Sequence, residues 1–247
     1  MGLPSPGLQC IVLGKRYDVC SPEVLDCVKA AGYASIEAGA KDPQLLRRLL
    51  DERGLAYAGC HVTPPALADL KPIVDRLRVL GGADVCSSGL MVWDQRSAAD
   101  YRRTISVLNE AGRQLRREDI RLHYHNHDFE FHKVDGEKTG MDLLLEGLDF
   151  DAVDLCADVA WVAIGGCKPD EFLLRHRERI GYVHLKDHDG TDWTELGRGR
   201  VDLAGVMAVL PRLAGVRHVM VEQDRTRIDP LQSIAISREY LRATFNY

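Results

Sequence analysis

Short apolar runs rich in β-branched residues recur along the chain, separated by stretches in which apolar residues fall at helical spacing. Eight such runs stand out, at residues 8–13, 33–37, 56–61, 83–87, 120–126, 152–158, 180–185 and 217–222. Helix start signals fill the gaps. Ser21-Pro22-Glu23 places a cap, a first-turn proline and an early acid ahead of Val24, Leu25 and Val28, and Asp42-Pro43 does the same for Leu45, Leu46 and Leu49. The longest amphipathic stretch, 98–117, carries Ile105, Leu108, Ala111 and Leu115 on one face and basic residues on the other. Further helices are predicted over 65–80, 141–148, 169–176, 202–213 and 231–244.

Strict strand-helix alternation, eight times over about 250 residues, predicts an α/β fold, a single (β/α)8 TIM barrel that occupies 1–247 as one domain. The competing open sheet would carry a glycine-rich phosphate turn after an early strand. None is present, and Gly165-Gly166 and Gly197-Arg198-Gly199 read as late turns.

Composition narrows the function classes. With 45% apolar and 28% charged residues, and no apolar run near the roughly 18 residues of a membrane span, no membrane association is expected. The start MGLPSPGLQ lacks the basic and apolar regions of a signal peptide, so a cytoplasmic location is the default expectation. Seven scattered cysteines without a C-x-x-C pair signal neither a disulfide framework nor a thiolate zinc site. A net charge of -5 without a basic stretch argues against a nucleic-acid partner.

In a barrel of this kind catalytic groups come from the carboxyl ends of the strands. The second run ends in Glu37, the third in His61, the sixth in Asp158 and the eighth in Glu222. The fifth leads into His125-Asn126-His127-Asp128-Phe129-Glu130, and the seventh carries His184-Leu185-Lys186-Asp187. Each has a plain structural reading: a strand-end carboxylate can be a helix cap or a solvated loop residue, and Lys186 can be a salt-bridge partner. His123, His125 and His127 alternate and so share a face in an extended strand, with His123 expected as a hydrogen-bonded core histidine. His132, His176, His188 and His218 are expected at the surface. Carboxylate and imidazole donors without thiolate suit Mn2+, Mg2+, Co2+ or Zn2+, and a carboxylate-rich set favours Mn2+ or Mg2+. One such ion could bind a substrate carbonyl and hydroxyl and stabilise an enediolate.

At these residues the sequence resembles the xylose-isomerase-like barrel superfamily, in particular its sugar phosphate isomerase/epimerase group with inosose dehydratase and ketose 3-epimerase relatives. The resemblance rests on Tyr124 through Phe131, Asp158-Val159-Ala160-Trp161, Val183 through Asp187, Leu196-Gly197-Arg198-Gly199 with Val201-Asp202, and Val221-Glu222-Gln223-Asp224. It implies a metal held by Asp158, His184 and Glu222, and a fourth ligand from the fifth strand. Relatives place a glutamate inside that strand, where this chain has His123, Tyr124 and His125, so Glu130 is assigned as the fourth ligand with His125 as its substitute. Trp161 stands where many relatives carry a histidine; it offers an aromatic wall for a sugar ring and counts against the several-zinc DNA-repair endonucleases of the superfamily.

The activity implied is isomerisation or epimerisation of a ketose or keto-sugar through proton abstraction next to a carbonyl. Glu130 and Glu222 would exchange the proton, Lys186 would serve as electrostatic partner or acid, and Glu37, His61, His125 and Trp161 would bind substrate. A lyase or dehydratase using the same enediolate is the alternative. A non-catalytic sugar-binding barrel is the reading that follows if Glu130 does not reach the metal, and metal analysis of the purified protein discriminates it. The partner expected is a small sugar-like molecule, and homo-oligomerisation is left open.

Overall fold

A computed structural model describes residues 2–247. Eight parallel strands close into a barrel: β1 (Gly7–Gln9), β2 (Ser35–Glu37), β3 (Ala56–Val62), β4 (Asp84–Ser88), β5 (Arg121–His125), β6 (Val153–Asp158), β7 (Ile180–Leu185) and β8 (His218–Val221). They neighbour one another in sequence order and β8 pairs with β1, so the sheet has no edge. The helices around it are α1 (Pro22–Ala31), α2 (Pro43–Arg53), α3 (Lys71–Leu80), α4 (Ala98–Arg116), α5 (Gly140–Gly147), α6 (Val159–Ile164), α7 (Pro169–Arg175), α8 (Leu203–Val209) and α9 (Pro230–Phe245). The chain is thus a single (β/α)8 TIM barrel, and no helix among the described residues is long and apolar enough to cross a membrane.

Local chemistry explains where elements start and stop. Asp42 accepts the Leu45 amide and Ser97 the Asp100 amide, each supplying an acceptor to an exposed helix N-terminus. Where the structure departs from the expected ranges, a side chain or a proline is the cause. The first strand stops at Gln9 because its side chain accepts the Ile11 amide at 2.5 Å, turning 10–13 into a 3-10 helix. The predicted helix 65–80 is split into a 3-10 segment (Pro64–Ala68) and α3, with Pro72 in the first turn of α3, where its missing N–H costs nothing. Pro211 likewise turns the end of the predicted 202–213 helix into a 3-10 segment. The short α6 was not anticipated; it begins directly at the tip of β6, capped by Asp158.

Most of the apolar core lies between strands and helices, while Ala58, Cys86, Cys156, Tyr182 and Met220 form a separate cluster inside the barrel. Below that layer sits a polar one. Asp84, 1% exposed, has His123 Nε2 at 2.8 Å, His218 Nε2 at 3.1 Å and the Arg217 guanidinium at 3.2 Å. His218, expected at the surface, is therefore drawn into the barrel floor. Arg121 is paired with Asp154 beside it.

Burial acts to raise the Asp84 pKa, but His123 and His218 outweigh it and hold the carboxyl well below the ordinary range. A carboxyl whose folded pKa is depressed contributes stability that is present above its unfolded pKa of about 4 and is lost as pH falls below it. Asp84→Asn should therefore cost on the order of 3 kcal/mol at pH 7, the scale of a broken buried pair. Urea denaturation checks this, and the same series carried from pH 6 to pH 3 should show a shallower loss of stability for the variant than for the parent.

Candidate metal centre

The upper end of the barrel is built from strand-tip side chains that do two jobs each. Asp158 Oδ1 accepts the amides of Ala160 and Trp161 at 3.0 and 3.1 Å, starting α6, which leaves Oδ2 free. The Asp158 amide in turn donates to Asn126 Oδ1 at 3.0 Å, tying the segment after β5 to the tip of β6. Glu37 bridges two histidines: Oε2 lies 2.9 Å from His184 Nε2 and Oε1 lies 3.2 Å from His61 Nδ1. His61 Nε2 then reaches the Ser88 hydroxyl at 2.8 Å.

These anchors leave four donors facing one another. Nε2 of His125, Oδ2 of Asp158, Nδ1 of His184 and Oε2 of Glu222 are all buried without a hydrogen-bond partner among the described residues. His125 Nε2 stands 3.5 Å from both carboxylate oxygens, and His184 Nδ1 is in close contact with Glu222 Oε2. One donor atom from each of the four residues lies within 4.8 Å of the other three. A divalent ion bound about 2.0–2.2 Å from each ligand places its donors roughly 3–4 Å apart, so two imidazole nitrogens and two carboxylate oxygens at these separations suit such an ion. Glu37, behind His184, completes the carboxylate–histidine arrangement that fixes the orientation of a metal-binding imidazole.

Glu130, expected as the fourth ligand, is not brought into this cluster. It lies in a 3-10 turn (Phe129–Phe131) beyond β5, where Oε1 accepts the Tyr124 hydroxyl at 2.6 Å and Oε2 the His127 amide at 2.7 Å. Burial raises its pKa to about 7, against the lowering effect of those hydrogen bonds. His125, named above as the substitute, stands in the cluster instead because it is the last residue of β5 and points into the mouth.

Lys186 is completely buried yet surrounded by carboxylates: Asp224 at 2.8 Å, Glu222 at 3.0 Å and Asp158 at 3.5 Å. Its ammonium also lies 4.2 Å from the Trp193 ring centre and 5.1 Å from that of Trp161, a cation–π seat. Burial would lower its pKa, but Glu222, Asp158 and Asp224 more than compensate and keep it charged. For Glu222 the balance is reversed: burial acts to raise the pKa, while Lys186 and His184 hold it well below the ordinary carboxylate range. His125 is likewise pushed down by burial and up by Asp158 and Glu222, ending at about 10.

Two further residues, named in the sequence motifs without a role, also belong to the site. Asp224 sits two positions beyond Glu222 and reaches the same ammonium, a relation that the period-two spacing of Glu222-Gln223-Asp224 could have exposed. His127 stacks on Phe129 at 5.2 Å, and its ring centre lies 5.1 Å from His125 and 5.2 Å from Trp161. Its Nδ1 is buried and unpartnered, as is the Trp161 indole nitrogen. Burial, then the charges of His125 and Lys186, lower the His127 pKa and keep the ring neutral.

Residues 25–244 match the family described as xylose isomerase-like TIM barrel. The chain belongs to this family. The inosose dehydratase of Geobacillus kaustophilus is 26% identical over 93% of this chain and 88% of its own length. A sugar phosphate isomerase/epimerase from Parabacteroides distasonis superposes with a TM-score of 0.85 at 21% identity, covering 99% of this chain and 96% of that one. The D-allulose 3-epimerase of a Methylomonas species, solved with D-allulose, gives 0.76 at 18% identity over 99% and 98%. At these identities the two solved structures speak for the fold alone.

Metal titration by calorimetry tests the centre directly. The parent should take up Mn2+ or Zn2+ at close to one ion per chain and release protons as it does so, because two imidazoles must be neutral to ligate. Asp158→Asn and His125→Ala should abolish stoichiometric binding, Glu37→Gln should weaken it roughly 10–100-fold, and Glu130→Gln should leave the stoichiometry unchanged.

Proposed function

We propose that this chain is a divalent-metal-dependent isomerase or epimerase that exchanges the proton on the carbon next to the carbonyl of a ketose or keto-sugar. The observation that carries this reading is the group of four buried, unpartnered donors at the barrel mouth, set against the Glu222–Lys186 ion pair. His125, Asp158, His184 and Glu222 would hold the ion, with Mn2+ as the first candidate and Zn2+ or Co2+ favoured more than an all-oxygen site would favour them, given two imidazoles. When bound, the ion would polarise a carbonyl oxygen and lower the cost of removing the adjacent proton.

The remaining steps fall to the chain. Glu222 is ionised at neutral pH and takes the proton. Its partner Lys186, 3.0 Å away, stabilises the negative charge that develops on a substrate oxygen. His127 offers a neutral imidazole nitrogen with no other partner, suited to hydrogen bonding with a sugar hydroxyl. Glu130, with both oxygens engaged, holds the backbone of His127 in place and is a positioning residue in this scheme, which replaces the direct exchange role first expected of it. Trp161 and Trp193 shield Lys186 from water and provide an apolar wall for a ring face.

A dehydratase is the second reading, favoured by the likeness to an inosose dehydratase and by a buried ammonium that could protonate a departing hydroxyl. Both outcomes start with the same proton removal.

Incubation with ketoses and keto-glycosides in deuterated water with Mn2+ should place deuterium in a recovered isomer or epimer; an unsaturated product would select the dehydratase. Glu222→Gln and Asp158→Asn should each lower the rate by about 100-fold or more. Exchange that persisted in Glu222→Gln would remove that residue from the reaction.

A further inference from the structure

A cavity beside the candidate metal centre has an unusual charge. Its volume of about 910 Å³ is near the top of the roughly 300–1,000 Å³ typical of small-molecule sites, more than a single sugar ring needs. Glu37 and His61 form part of its wall, so it is continuous with the mouth. The outer wall comes from the loops after β1 and β2 and from α3, and it presents Lys15, Arg16, Lys41 and Arg76.

Only one of those four cations has a carboxylate partner. Arg16 pairs with Asp229 at 2.8 Å, whereas Lys15, Lys41 and Arg76 make no ion pair with any described residue. Of the two carboxylates in the wall, Glu37 is engaged by His184 and His61, while exposed Asp18 accepts the Cys20 amide at 2.9 Å and keeps its charge. Arg76 is half-buried, and on its inner side it approaches the Cys60 thiol, a weak acceptor. Elsewhere on α3 and the neighbouring α2 arginines find acids, as in Arg78 with Glu118, Arg47 with Asp51 and Arg53 with Asp26. In a chain of net charge -5, three cations without ion-pair partners against one unpaired carboxylate, Asp18, leave a local excess of positive charge around this cavity.

We infer that this cavity receives an anionic group, phosphate or carboxylate, on the part of the substrate remote from the reacting carbonyl. The inference rests on the reading of the mouth as a sugar site. Arg76 supplies a planar fork that matches either anion, and its partial burial strengthens the interaction over that of a solvated surface arginine. Lys15 and Lys41, more exposed, add charge and draw the anion in from solvent.

Calorimetry on the metal-loaded full chain with glucose 6-phosphate, glucuronate, glucose and inorganic phosphate tests the assignment. At least one of the two anionic sugars should bind tenfold or more tightly than glucose and more tightly than inorganic phosphate, and its affinity should fall as salt is added. Whichever anionic sugar leads identifies the group. Arg76→Gln and Lys41→Gln together should bring the preference over glucose to within about threefold; Lys41→Gln alone, at an exposed position, should reduce it without disturbing the fold.

Equal binding of all three sugars, inorganic phosphate binding as tightly as the sugar phosphate, or a preference that survives the double substitution would each overturn the inference. The deuterium-exchange assay with a neutral ketose is read separately. Its failure would count against the metal-enzyme reading while leaving the anion preference measurable.

Discussion

The barrel mouth depends on Glu222 standing between His184 and Lys186. A buried ammonium without a partner would cost several kcal/mol, and so would a buried carboxylate. Here Lys186 is completely buried because Glu222, Asp224 and Asp158 surround it, and Glu222 stays ionised because Lys186 and His184 flank it. Neither half of this arrangement is stable alone. What the balance leaves over is a set of donor atoms with no partner, at 3.5 Å and closer, which a cation would satisfy.

The rest of the architecture serves to hold those atoms still. Strand tips fix their positions, and the second oxygen of each carboxylate fixes its rotation. Asp158 spends one oxygen on the α6 amides, and Glu222 spends one on Lys186. Glu37 gives both of its oxygens to imidazoles. Further out, Asp187 accepts the amides of Gly197 and Gly199 at 3.0 Å and of Val201 at 3.1 Å, which folds the 195–201 segment against the hairpin that carries Trp193. A Cβ on Gly199 would meet the Asp187 carboxylate at 2.1 Å, so this packing requires glycine. Trp193 is thereby held over Lys186.

The strand-helix rhythm made the fold legible because the strands are short and several of the helices between them start at a cap or a proline, and parity along a strand then assigns side chains to the interior. That argument works for Asp158, His184 and Lys186, which lie on or directly after regular strands. It gives out at Glu130. Once β5 ends at His125 the chain enters a 3-10 turn, period-two alternation no longer applies, and a carboxylate that reads as a ligand is turned back onto Tyr124 and the His127 amide. The same break explains why His127 and the α6 start could not be read: both depend on how a loop folds over a strand tip. Asp224 is a different case, legible by spacing but indistinguishable from a solvated loop acid until Lys186 is placed beside it.

β5 shows how depth and neighbours, and not residue type, decide what a histidine does. His123 lies low in the barrel, where Asp84 accepts from it and the pair braces the floor together with His218. Two residues on, His125 has moved up by one inward-facing position and meets Asp158 and Glu222 with no hydrogen bond to either ring nitrogen. The first has its Nε2 bonded to a buried acid that asks for nothing more. The second faces two carboxylates that are already anchored elsewhere and is left with a free nitrogen, which is the condition for ligation. Residue type is the same at both positions; what differs is that Asp84 accepts from the one, while the other faces two carboxylates whose remaining oxygens are held by α6 amides and by Lys186.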